Sequence, residues 1–198
     1  YNNMGVALKD QCKLDEALEV CNKAIALKPN YTEAYNNLGN ILKDQGKLDK
    51  AIKAYNKCIS LNPDYAEAYS NMGLALKDQG KLDEALEVCN KALLLKPNYA
   101  SSYNNMGNIF TDQSTLNEAI EAFKKALLFQ PNYADAYNNL GNALRHQGKL
   151  DEAIDVYKKG INLKPDYADA YNNLGKAFQD QQKLDEAIEA YNKCISLK

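Results

Sequence analysis

Tyr35-Asn36-Asn37-Leu38-Gly39 decides the fold, because the chain writes it again and again at one spacing. The same motif opens the chain as Tyr1-Asn2-Asn3-Met4-Gly5 and returns from Tyr69, Tyr103, Tyr137 and Tyr171, always 34 residues apart and without insertion. Self-similarity at a fixed period of this length is the mark of a solenoid, in which each unit buries its apolar face against its neighbours. Within one unit, Tyr35, Leu38, Gly39 and Leu42 fall at i, i+3, i+4 and i+7, so they share one face of a first helix. A second stripe, Ala51, Ile52, Tyr55, Cys58 and Ile59, has the same period after a short polar turn. Each unit therefore reads as two antiparallel amphipathic helices.

The punctuation agrees with this division. Pro29, Pro63, Pro97, Pro131 and Pro165 stop the second helices, and Asn30, Asp64, Asn98, Asn132 and Asp166 follow where they can cap the next helix. Glu33 and Glu67 stand three residues beyond Asn30 and Asp64, the spacing of a capping box. Gly46, Gly80 and Gly148 supply a left-handed residue between the two helices, and Cys12, Ser114 and Gln182 occupy that place in the other units. These boundaries give one array over 1–198, with repeats at approximately 1–31 (partial), 32–65, 66–99, 100–133, 134–167 and 168–198 (partial).

Gly5, Gly39, Gly73, Gly107, Gly141 and Gly175 lie inside the first helices, where Gly costs ~1 kcal/mol against Ala. Close approach of the second helix offsets this, with Ala17, Ala51, Ala85, Ala119, Ala153 and Ala187 expected to keep the opposing side small.

An aromatic residue, Leu or Met, Gly, Leu or Phe, then Ala, an aromatic, a small residue and Pro, at these spacings and over the whole chain, resembles the tetratricopeptide repeat pattern. Tyr stands at the family's usual Trp, Cys21 and Cys89 take an aromatic position, and Gly160, where other repeats have Ala or Cys, is expected to soften its helix. The resemblance implies an all-α, right-handed superhelical solenoid of helix hairpins, with a concave groove lined by the first helices and used to bind protein segments.

Opposite the buried stripe of each first helix runs a second set of positions. It reads Glu33, Asn37, Asn40, Asp44 in one repeat and Asp135, Asn139, Asn142, His146 in another. If the family geometry holds, Asn3, Asn37, Asn71, Asn105, Asn139 and Asn173 form a ladder of amides along the groove, joined by Asn40, Asn108 and Asn142. A side-chain amide offers two donors and two acceptor lone pairs, so it can pair with the N–H and C=O of an extended peptide; the same residues can equally bond within the scaffold. The ladder resembles the one lining the superhelix of O-linked N-acetylglucosamine transferase. The carboxylate clamp of tetratricopeptide co-chaperones is disfavoured, since Asn36, Ser70, Asn104, Asn138 and Asn172 stand at its Lys site. The acidic ends of the stripe point to a ligand bearing some Lys or Arg, although Lys9, Lys43, Lys77 and Arg145 partly cancel that field.

Composition narrows the partners. Lys+Arg 24 against Asp+Glu 26 gives a formal charge of -2 with the signs interleaved, so no basic stripe exists for a nucleic-acid backbone. The longest aliphatic run is Ala92-Leu93-Leu94-Leu95, far short of the ~20 residues that cross a bilayer. Cys12, Cys21, Cys58, Cys89 and Cys194 are odd in number and form no C-x-x-C pair, which disfavours disulfides and a zinc site and fits a reducing, cytoplasmic compartment. Four of them lie on buried faces; Cys12, in a turn, is the accessible thiol. A single His, His146, and isolated periodic glycines leave no acid–base constellation, phosphate loop, metal cluster or cofactor site.

The expectation is therefore a non-enzymatic scaffold that captures an extended partner segment. The alternatives are the substrate-recognition arm of a larger enzyme, or an assembly array without a specific ligand. The last helix keeps an apolar stripe, Ala187, Ile188, Tyr191, Cys194 and Ile195, from which head-to-tail self-association is a further expectation.

Overall fold

The computed structural model describes residues 1–197, apart from the side chains of Asn2 and Asp10. Among the described residues it contains twelve helices and no strand. In chain order these are α1 (Asn2–Asp10), α2 (Leu14–Leu27), α3 (Thr32–Asp44), α4 (Leu48–Leu61), α5 (Ala66–Asp78), α6 (Leu82–Leu95), α7 (Ala100–Asp112), α8 (Leu116–Phe129), α9 (Ala134–His146), α10 (Leu150–Leu163), α11 (Ala168–Asp180) and α12 (Leu184–Ser196). Odd-numbered helices are the first of each repeat and even-numbered helices the second.

The turns between paired helices follow the residues expected for them. Gly46, Gly80 and Gly148 have φ of 72°, 77° and 80°, and Cys12, Ser114 and Gln182 are held at 59°, 62° and 61° in the same left-handed region. The helix starts differ from expectation. The N-cap position of α3, α5, α7, α9 and α11 falls on Tyr31, Tyr65, Tyr99, Tyr133 and Tyr167, and none of these ends carries a side-chain cap bond. Asn30 and its counterparts stand one residue too early, and Glu67 accepts a hydrogen bond from Asn36 of the preceding repeat, at 3.0 Å, instead of reaching back to a cap.

The chain divides into two compact units, Tyr1–Asn98 with α1–α6 and Tyr99–Lys198 with α7–α12. In the first unit each first helix packs on its own second helix, the second helix packs on the first helix of the next repeat, and α1·α3 and α3·α5 pack together directly. The second unit repeats this scheme, with α7·α9 and α9·α11 in contact. Among the described residues, successive second helices make no comparable approach. Each unit is therefore closed along its first-helix layer and splayed along its second-helix layer. Between α10, α11 and α12 the splay leaves a hollow of about 720 Å³ floored by Tyr171, Leu174, Phe178 and Ala190.

The sandwiching of first helices between neighbours buries more than one of their faces. Besides Gly39 and Leu42, α3 buries Ala34, Asn36 and Ile41. In the first unit Ala17, Cys21, Ala24, Ala34 and Ile41 form one core cluster, and in the second Phe123, Leu140, Leu144, Tyr157 and Leu174 belong to another.

The helix glycines make room chiefly for a ring. A Cβ on Gly39, Gly107 or Gly141 would stand 2.4 Å from the ring of Tyr55, Phe123 or Tyr157, 16 residues on, and one on Gly73 would meet Cys89 Sγ at 2.4 Å. The small Ala partners are thus only part of the reason for these glycines. Gly160 also differs from expectation: α10 runs unbroken through it, and its missing Cβ would lie 3.2 Å from Tyr137 Cβ and 3.3 Å from the Ala134 carbonyl. It tightens the α9–α10 contact.

Candidate functional site

The candidate amides lie on two registers of the first helices, the second of them in α3, α7 and α9 alone, and the structure assigns them different partners. Asn71 Nδ2 donates to Asn36 Oδ1 at 3.1 Å, Asn139 Nδ2 to Asn104 Oδ1 at 3.1 Å, and Asn173 Nδ2 to Asn138 Oδ1 at 3.0 Å. The acceptors are the first Asn of each Tyr-Asn-Asn triplet and are buried: Asn36 is 1% exposed, Asn104 5% and Asn138 6%. Asn37 and Asn105 also have protein partners, Asn105 being buried and Asn37 half-buried, whereas Asn3 is exposed. The second Asn of the triplet is thus a bond between consecutive repeats wherever its partner is seen. Its remaining capacity is one Nδ2 hydrogen and the carbonyl oxygen.

Asn40, Asn108 and Asn142 lie one turn further along, all half-buried. The Tyr55 hydroxyl donates to Asn40 Oδ1 at 2.7 Å, and the Tyr157 hydroxyl to Asn142 Oδ1 at 2.7 Å. These bonds satisfy two phenols that are wholly buried against glycine. Burial raises both phenols above the usual Tyr range; for Tyr55 the negative Asp44 and Glu67 add to it, while for Tyr157 the positive Arg145 guanidinium works in the other direction. In the repeat of Asn108 the ring is Phe123, which has no hydroxyl to give.

The acidic residues of this face are engaged by the scaffold. Asp44 lies 3.0 Å from Lys43 Nζ and 3.8 Å from Lys9 Nζ, Asp78 lies 3.3 Å from Lys77 Nζ, and Asp180 lies 2.9 Å from Arg145 Nη1. Asp135 neighbours the Tyr167 hydroxyl, and burial together with the negative Asp135 raises the Tyr167 phenol above the usual range. The field along the face is consequently weaker than the carboxylate count alone suggests, and amides rather than charge dominate what it presents. His146 is exposed, with Nε2 3.1 Å from Arg145 Nη2. Among the described residues no cluster of His, Cys, Asp and Glu is placed to hold a metal ion, and no helix is long and apolar enough to cross a membrane.

A column absent from the sequence reading ties the repeats together from the other end of the first helices. Gln45 Nε2 donates to Asp15 Oδ1 at 2.9 Å, Gln79 to Asp49 at 2.7 Å, Gln147 to Asn117 at 2.6 Å and Gln181 to Asp151 at 2.7 Å. The signal was available, since Gln recurs at 11, 45, 79, 113, 147 and 181 as regularly as the ladder Asn. Gln45 Oε1 accepts from Lys47 Nζ at 2.9 Å, whereas the Oε1 atoms of Gln79, Gln147 and Gln181 are buried without a partner. Lys81, Lys149 and Lys183 stand at the same two-residue offset, within reach of those atoms by side-chain rotation.

Comparison with known proteins places this arrangement. Family models described as TPR repeat match residues 5–46, 39–80, 107–145 and 141–182, and models described as tetratricopeptide repeat match 66–99 and 168–198. No curated protein sequence matches. Among solved structures, MamA is 30% identical over 81% of this chain and 94% of its own, with a TM-score of 0.68. TTC0263, a thermophilic TPR protein of Thermus thermophilus, is 23% identical over 89% of this chain and 96% of its own, with a TM-score of 0.82. YrrB, described as a TPR protein with an unusual peptide-binding site, is 24% identical over 91% of this chain and 93% of its own, with a TM-score of 0.62. The last two likenesses are those of fold alone.

Proposed function

Because the chain belongs to the tetratricopeptide repeat family, a fold of protein-interaction scaffolds, we propose that it binds an extended segment of a partner protein along the first-helix layer of its units. The observation that carries this reading is a half-buried amide at the same helix position in each unit, Asn40 in the first and Asn108 and Asn142 in the second, which the scaffold engages through at most one oxygen each. An extended peptide presents N–H and C=O groups at regular intervals, and such amides read backbone rather than side chains. The ladder residues Asn3, Asn37, Asn71, Asn105, Asn139 and Asn173 contribute less in this reading, since several already hold neighbouring repeats together. A solenoid peptide-binding site also has precedent in the fold neighbour YrrB. The reading includes no chemistry performed by this chain itself.

Panning a displayed library of random twelve-residue peptides against the purified chain tests the proposal. Enriched peptides are expected to lose most of their affinity when Asn40, Asn108 and Asn142 are changed together to Ala. Enrichment that is indifferent to all three changes would overturn the first-helix assignment.

A further inference from the structure

Three repeats carry an Asn immediately after the helix glycine, and the residue 15 positions on decides how much of that Asn is left for a ligand. We infer that Asn108 is the amide that pairs with both the N–H and the C=O of a bound peptide group, and that Phe123 sets this specificity by withholding a hydroxyl. The inference rests on the peptide-binding reading above and deepens it.

The comparison is internal to the chain. The rings of Tyr55, Tyr157 and Phe123 lie in one pose: the hypothetical Cβ of Gly39 would stand 2.4, 2.6 and 2.7 Å from Cε1, Cδ1 and Cζ of Tyr55, and that of Gly107 the same distances from Phe123. Only the hydroxyl differs. In the Tyr157 repeat the phenol hydroxyl donates to Asn142 Oδ1 at 2.7 Å. That bond fixes the amide, with the carbonyl turned toward the phenol and Nδ2 left for the ligand. Asn142, and likewise Asn40 under Tyr55, is thereby oriented as a donor that meets a ligand C=O.

Asn108 has no such restraint. Phe123 offers its oxygen nothing, and the residue at the place of Lys43 and Arg145 is Thr111, whose hydroxyl donates to the Gly107 carbonyl at 2.8 Å. Both the phenol and the basic residue are thus replaced in the one repeat. A half-buried carbonyl without a protein donor is completed by solvent or ligand, and an amide free to turn can present oxygen and nitrogen together. The remaining columns fit the same rule: Leu74, in the repeat of Cys89, has no polar group to orient, and in the last repeat, with Lys176 at the Asn place, the Tyr191 hydroxyl turns to Gln179 Oε1 at 2.9 Å.

The test uses N-methylacetamide, a single peptide group, titrated into the ¹⁵N-labelled full chain while the side-chain amide signals of Asn40, Asn108 and Asn142 are followed. The wild-type Asn108 signal is expected to respond about threefold more steeply than that of Asn142, the difference made by one additional hydrogen bond. Phe123→Tyr, whose ring pose Tyr55 already shows to be accommodated, is expected to reduce Asn108 to the Asn142 response, and Tyr157→Phe to raise Asn142. Equal responses of Asn108 and Asn142 in the wild type, or an Asn108 response unmoved by Phe123→Tyr, would overturn the inference. Failure of the panning experiment with a positive result here would sink the peptide-segment reading and leave the amide assignment standing.

Discussion

Asn71 donates its side-chain amide to Asn36, one repeat and one residue earlier, at 3.1 Å, and Asn36 passes its own Nδ2 to Glu67 at 3.0 Å. A residue of the candidate ligand ladder is thus one arm of a buried clasp between α3 and α5. Asn71→Ala would leave Asn36 Oδ1, in a side chain 1% exposed, without its donor; an orphaned buried acceptor costs about 1–3 kcal/mol. The substitution is expected to lower the urea midpoint accordingly, whereas Asn3→Ala, at an exposed position, should leave it nearly unchanged. A double-mutant cycle over Asn36→Ala and Asn71→Ala is expected to return a coupling of ~1 kcal/mol; additive losses would show that the clasp does not hold the repeats together.

This clasp marks the boundary of what the sequence reveals. Period and punctuation were enough for the hairpins and their left-handed turns, because those depend on residues within one unit, such as Gly46 after α3. The partner of Asn71 is 35 residues away, and face analysis within a single helix places Asn36 and Asn37 side by side without saying that Asn36 is buried and accepts from the next repeat. The Gln45–Asp15 link was missed for the same reason: it joins the end of one repeat's first helix to the start of the preceding repeat's second helix. Cap positions differ from the expected ones by one residue because Asn30 and Asp64 suit the role chemically, while the chain enters the helix through Tyr31 and Tyr65, the first of which packs on the core between repeats. The pairing of Asn40 with Tyr55 could have been found, since the same two residue types recur at the same spacing as Asn142 and Tyr157.

The ring-over-glycine contact yields a contrast within one column. Gly39→Ala would bring a Cβ to 2.4 Å from Tyr55, a ring that is 0% exposed and has nowhere to move. Overpacking of this kind costs about 1–3 kcal/mol and outweighs the ~1 kcal/mol gained in helix propensity. At Gly5 the nearest atom to a new Cβ is the Ala17 carbonyl at 3.5 Å, since Cys21 Sγ is turned to the Ala34 carbonyl. Gly5→Ala is therefore expected to raise the melting temperature slightly and Gly39→Ala to lower it; equal effects would refute the packing account.

The interhelical turns offer a gain in stability. Ser114 and Gln182 hold φ of 62° and 61°, a region in which a Cβ is crowded and Gly is not. Ser114→Gly and Gln182→Gly should each stabilise the chain by about 0.5–1 kcal/mol, read as a shift in urea midpoint. Gly80→Ala should lose about 1 kcal/mol for the opposite reason, although a new Cβ there meets nothing within 4 Å.

Alkaline pH should weaken the fold through its buried thiols. Burial pushes the Cys21 thiol up to about 11 and the Cys58 thiol up to about 12, the latter with help from the negative Glu33 and Glu67. Cys21 Sγ also donates to the Ala34 carbonyl at 3.1 Å, a bond that only the protonated form can make. In the unfolded chain a thiol loses its proton near pH 8.5. The unfolded state therefore holds fewer protons than the native state once pH exceeds that value, and stability falls as pH rises. The contribution is complete below about pH 8.5 and is lost progressively through pH 11 for Cys21 and pH 12 for Cys58, on the order of 1 kcal/mol per pH unit for each thiol. Cys12, exposed in its turn, should react with a disulfide reagent at pH 8 without unfolding, and the other four only as fast as the chain opens. Urea titrations at pH 7.5, 9 and 10.5 are expected to show declining midpoints in the wild type and a flatter decline in Cys21→Ala/Cys58→Ala. A decline of the same steepness in that variant would assign the alkaline limb to the buried phenols, Tyr55 and Tyr157, which are held protonated by the same burial.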